Sequence, residues 1–169
     1  MQRRTLLGVG VAGAALLTLV GGGLALLQPG LRDGRLAPAG RELFGAVAEA
    51  VLDGVLPVAP PARRDAIDAH LSRLEATVAT LAPIARTELS QLVALLHSGP
   101  GRLAMCGMAA DWADASMAEV QSALQAMRSS RLELRQQAYH ALRDLTNAAY
   151  FADAATWAAL GYPGPRSLS

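Results

Sequence analysis

Residues 42–57, ELFGAVAEAVLDGVLP, put Leu43, Phe44, Val47, Ala48, Val51, Leu52, Val55 and Leu56 at steps of three and four, with Glu42, Glu49 and Asp53 between them. A period of 3.6 residues carries such a set along one side of an α-helix and leaves the carboxylates on the other. Pro57 stops this helix, because the residue before a proline is pushed out of the helical region. The stretch Val58 to Ala62, with Pro60 and Pro61, reads as an extended connection. Beyond it Ile67, Leu71, Leu74, Val78 and Leu81 follow a four-three-four-three rhythm that lays a narrow seam. Pro83 suits the first turn of a third helix, with Ile84, Leu89, Leu92, Val93 and Leu96 inward and a stop at Ser98-Gly99-Pro100.

The same reading extends to the C-terminus. Met105, Cys106, Met108 and Trp112 suggest a short buried helix interrupted near Gly107. Ser116 with Glu119 three residues on is a capping box, opening a helix with Met117, Val120, Leu124 and Met127 inward. Ser130 with Glu133 repeats the spacing before a long helix carrying Leu134, Ala138, Leu142, Leu145 and Ala149. The connection between these two helices is short, so they should pack as an antiparallel hairpin. A short helix over Ala154 to Leu160 closes at Gly161. No strand pattern or internal repeat competes. The expected fold class is all-α, a small multi-helix bundle preceded by an N-terminal hydrophobic signal helix.

Composition agrees: 52% of the 169 residues are hydrophobic but only 4% aromatic, which points to helices packed through small side chains. Net charge is +1, and the 15 cations, all Arg, are spread among 14 carboxylates, so no nucleic-acid footprint follows. The single cysteine, Cys106, cannot form an intramolecular disulfide.

At the N-terminus Arg3 and Arg4 stand before Thr5, Leu6 and Leu7, and an apolar, Gly-rich run without charge continues through Leu27. The layout is that of an export signal. The order Gln2-Arg3-Arg4-Thr5-Leu6-Leu7 resembles the twin-arginine motif, read by the translocase that carries folded proteins. The run is also long enough for a membrane-spanning helix, and no small-residue cleavage site stands out from Leu24 to Pro29. The expected organisation is therefore a twin-arginine signal or uncleaved membrane anchor over 1–30, a linker over 31–40 and a helical accessory domain over 41–169. The expected location is the periplasm, with an uncleaved signal as an anchor to the inner membrane.

Candidate chemistry is sparse. His70, His97 and His140 sit on three different expected helices and read as surface or helix-end residues, with no companion ligand at a metal-binding spacing. Asp111 and Asp114 flank Trp112, but two carboxylates do not make a calcium loop. Cys106 lacks a haem-attachment context, and no nucleophile elbow, Walker loop or dinucleotide fingerprint is found. Catalytic, cofactor-binding and metal-binding residues are expected to be absent. Arg128, Arg131, Arg135 and Arg143 line part of the last hairpin, either as a surface for an acidic partner or as an ordinary charged helix face.

The run Ser129-Ser130-Arg131, then Tyr139 and Leu142, then Ala149-Tyr150-Phe151-Ala152-Asp153, Trp157 and Leu160-Gly161-Tyr162-Pro163-Gly164-Pro165, resembles the end of the gluconate dehydrogenase small-subunit family. The helix from Leu43 to Leu56 resembles that family's opening helix. The resemblance implies a non-catalytic companion that escorts a signal-less, FAD-dependent dehydrogenase of the glucose-methanol-choline type through twin-arginine export and stays bound to it. It implies no cofactor in this chain and FAD in the partner. Tyr150, Phe151, Trp157 and Tyr162, with Arg131 and Arg135, are the candidate docking residues. The aromatics have two readings, surface anchors or a lid on the open end of the bundle. The alternative for the whole chain is a membrane-tethered periplasmic helical binding module without an enzyme partner.

Overall fold

The computed structural model describes residues 28–162. Six α-helices form the bundle: α1 (Pro38–Val51), α2 (Pro60–Ala79), α3 (Pro83–His97), α4 (Gly99–Cys106), α5 (Met117–Arg128) and α6 (Glu133–Phe151). A short 3-10 helix, Ala154–Leu160, closes the described chain. The expected all-α bundle is found; a signal helix before it would fall on residues 1–27, together with Arg3, Arg4, Leu6 and Leu7, outside the described residues.

Helix α1 is the axis of the fold. It packs against α2, α3, α5 and α6. Leu43, Phe44, Val47 and Ala48 are fully buried, which is the stripe expected from their spacing. The helix starts five residues before Leu43, at Pro38, whose fixed φ and missing N–H suit a first helical position. It ends at Val51, with Leu52 to Leu56 turning back and Gly54 taking a φ of +85°. Helix α2 likewise begins inside the expected connection, with Pro60 and Pro61 in its first turn. The α5 capping box forms as expected, Ser116 Oγ accepting from Glu119 N and Glu119 accepting from Ser116 N. Its sequence analogue before α6 does not, because Leu132 rather than Ser130 occupies the cap position.

The expected linker over 31–40 is structured. Leu31–Arg32 and Arg35–Leu36 pair as two antiparallel strands, β1 and β2, Leu31 opposite Leu36 and Arg32 opposite Arg35. Asp33 and Gly34 make the turn with φ values of 51° and 78°, the left-handed pair that an Asp-Gly hairpin uses. The hairpin lies on α3: Gly30 N donates to Ser90 O and Leu31 N to Ser90 Oγ. This cover explains why α3 is buried almost all round from Glu88 to Leu96, where one apolar stripe was expected, while Ile84 of that stripe is 66% exposed.

Residues 98–115 are tied to the end of α3 by two side chains. Trp112, 2% exposed, donates from Nε1 to Leu96 O at 2.8 Å. Arg102, also buried, donates to His97 O and Ala109 O and pairs with Asp111. Both satisfy carbonyls left without partners by the helix end.

The expected membrane-anchored location is corrected. Among the described residues no helix is long and apolar enough to cross a membrane. The longest, the 20-residue α2, carries Arg63, Arg64, Asp65, Asp68, Arg73 and Glu75, a charge load that hydrocarbon does not tolerate.

Candidate docking surface

The aromatic residues and the arginine pair are not one surface. They occupy opposite ends of the 19-residue α6, separated by about 27 Å at 1.5 Å per residue.

At the C-terminal end, side chains from elsewhere satisfy the last carbonyls of α6. Arg73 of α2 donates from Nε to Ala149 O at 3.2 Å and pairs with Asp153 at the same distance. Thr156 Oγ1 reaches Tyr150 O, and Trp157 Nε1 donates to Phe151 O at 2.8 Å. Tyr150 is 5% exposed; its hydroxyl donates to Val55 O, and its ring meets Phe151 edge-on, lies near His70 and is covered by the Arg73 guanidinium. Tyr150 is thus a core residue that locks α6 to the α1–α2 connection. Phe151 and Trp157 are half-buried. Trp157 stacks at a tilt on Tyr162, centroids 5.5 Å apart, and Tyr162 is 50% exposed. Of the four aromatics, Tyr162 offers the freest face.

At the other end Arg131 lies in the turn before α6 and is exposed. Arg135 reaches across to the carbonyl of Ala104 with both Nε and Nη2. That contact ties α4 to the start of α6. Arg143 lies further along α6 and pairs with its neighbour Asp144.

Burial shifts the titration of three side chains, His70, Cys106 and Glu88. His70 was expected at the surface and is fully buried, with neither ring nitrogen hydrogen-bonded. Burial, aided by the nearby Arg73 charge, lowers its pKa to about 4, so it is neutral near pH 7. The spacing held the signal, since His70 falls three residues after Ile67 and four before Leu74, on the apolar seam. Cys106 is buried as expected, and burial pushes its thiol up to about 11. It borders a shallow cleft of about 320 Å³ floored by Gly107, Met108, Ala109 and Ala123. Burial also raises the carboxyl of Glu88 on α3. No group of three His, Cys, Asp or Glu placed to hold a metal occurs among the described residues.

No protein-family model matches the chain, and neither a curated protein nor a solved structure matches it.

Proposed function

We propose that this chain is a non-catalytic companion subunit that binds a signal-less, FAD-dependent dehydrogenase of the glucose-methanol-choline type and escorts it through twin-arginine export. One observation carries the reading. The aromatic residues on which the family resemblance rests form a single module around the end of α6, stitched by Arg73, Thr156 and Trp157 and finishing in the half-exposed Tyr162. Such a module presents an aromatic side chain on a rigid base, so little conformational freedom is lost on docking. The twin-arginine order of Arg3 and Arg4 supports the export half of the reading, because that route carries proteins already folded around a cofactor. FAD would reside in the partner.

The test follows a tagged full-length chain in its native host. A flavin-bearing protein should co-purify with the wild type and reach the exported fraction. Arg3→Lys with Arg4→Lys should strand both proteins inside, and Tyr162→Ala should weaken co-purification by about tenfold while leaving the fold intact. Recovery of the chain alone, with no flavin-bearing companion in either fraction, would overturn the reading.

A further inference from the structure

We infer that the α4–α6 corner is a second docking surface, built for an acidic, aliphatic-bearing segment of a protein partner. It lies at the end of α6 remote from the aromatic module and does not depend on the identity of what that module binds.

Two exposed leucines mark the corner: Leu103 on α4, 58% exposed, and Leu132 at the start of α6, 62% exposed. The Arg135 contact with Ala104 O links the two segments that carry them, since Ala104 follows Leu103 and Arg135 lies three residues after Leu132. Three arginines, Arg128, Arg131 and Arg135, lie within four residues of Leu132 along the chain. Arg128 and Arg131 are exposed, and among the described residues neither has a carboxylate within ion-pair distance; Arg135 spends its hydrogen bonds on a neutral carbonyl and keeps its charge. The carboxylate in the first turn of α6 is Glu133, and Glu119 of α5 lies across the cleft that starts at Cys106. Helix α4 contributes no acid, and its Arg102 is buried against Asp111.

Leu132 also stands where a helix normally places Ser, Thr, Asp or Asn. The first amides of α6 consequently have no side-chain acceptor, and they add to the positive potential of the corner. The turn itself is rigid: Ser130 Oγ accepts from Leu132 N, and Gln136 Nε2 donates to Ser130 O at 2.7 Å. A fixed turn that holds leucine outward among unpaired cations suits carboxylates flanking an aliphatic side chain. The cations make a second copy of this corner an unfavourable occupant.

The probe is a fluorescent peptide of alternating Glu and Leu, titrated with the full-length protein, beside a Lys and Leu peptide of the same pattern. The acidic peptide should bind, weaken as salt rises, and lose about tenfold in affinity on Arg131→Glu or Leu132→Ser. Both substitutions are at exposed positions, and circular dichroism checks that the helices persist. Equal binding of the basic peptide, no binding of the acidic one, or affinity unchanged by Arg131→Glu would each overturn the proposal. So would binding to anionic phosphatidylglycerol vesicles in preference to the acidic peptide, which would make the corner a lipid contact. Failure of flavoprotein co-purification leaves this result untouched, so the two readings fail separately.

Discussion

His70 shows how one side chain sets a condition on the whole fold. Its imidazole is sealed between α2 and α6, beside Tyr150, with both nitrogens unpartnered. Burial holds the folded pKa near about 4, against 6.5 for the free side chain. Between those values the unfolded chain takes up a proton that the folded chain refuses, so stability falls as pH drops below 6.5 and the loss is complete near 4. The shift corresponds to about 3 kcal/mol. Glu88 acts with the opposite sign, because its raised pKa lets the folded state take up a proton first. Comparing wild type with His70→Leu isolates the histidine. Urea midpoints at about pH 7 and about pH 4.5 should diverge for wild type and draw together for the leucine variant, which buries no unpartnered nitrogen. An equal acid loss in both proteins would remove His70 as the cause.

At the scale of elements, the hairpin and α3 illustrate how a short connection determines what a helix can bury. Gly30 backs onto α3 so closely that a Cβ there would lie inside the Val93 side chain, with Ser90 O at 2.9 Å. Gly30→Ala should therefore lift the hairpin and destabilise the protein by about 1–3 kcal/mol. Gly45, in the middle of α1, has open space where a Cβ would stand, with no neighbouring atom within 4 Å, so Gly45→Ala should raise stability by about 0.5–1 kcal/mol. Paired thermal melts check the opposite signs. The Asp33-Gly34 dipeptide was the legible sign of this hairpin, since Asp-Gly supplies the left-handed turn. It was obscured by the surrounding Gly and Pro residues, which also suit a linker, and by strands of only two residues. The α5 capping box was fully legible because its hydrogen bonds are local. Ser130 with Glu133 has identical spacing yet does not cap α6, because the chain enters that helix from Leu132 and Ser130 turns back on Leu132 N.

For the molecule as a whole, Cys106 reports on global opening. It sits in a continuous core that runs from Leu36 to Tyr150, at the junction of α4 and α5. Its thiol is both inaccessible and poorly ionised, with the pKa pushed up to about 11. A small thiol reagent should react with the native protein at least ~100-fold more slowly than with the urea-unfolded chain. The Gly30→Ala variant should react faster than wild type, by about tenfold for each ~1.4 kcal/mol of stability lost. Fast labelling of the native protein would show that the α4–α5 junction opens locally instead.

The number of helices, their approximate spans, the ends at Ser98 and Gly161 and the inward stripe of α1 were determined by the sequence alone, because each depends on residues within a turn or two of one another; the stop expected at Pro57 was not, since α1 already ends at Val51. Tertiary structure decided what those local patterns could not hold: that α3 is enclosed on several sides, that His70 is sealed in the core, and that Tyr150 belongs to the packing rather than to a surface. It also placed Tyr162 and Arg131 at opposite ends of α6, and tied Arg135 to Ala104 across a contact between distant segments. Burial and electrostatics depend on which elements meet, and that choice is made by the packing free energy of the whole chain rather than by any window of it.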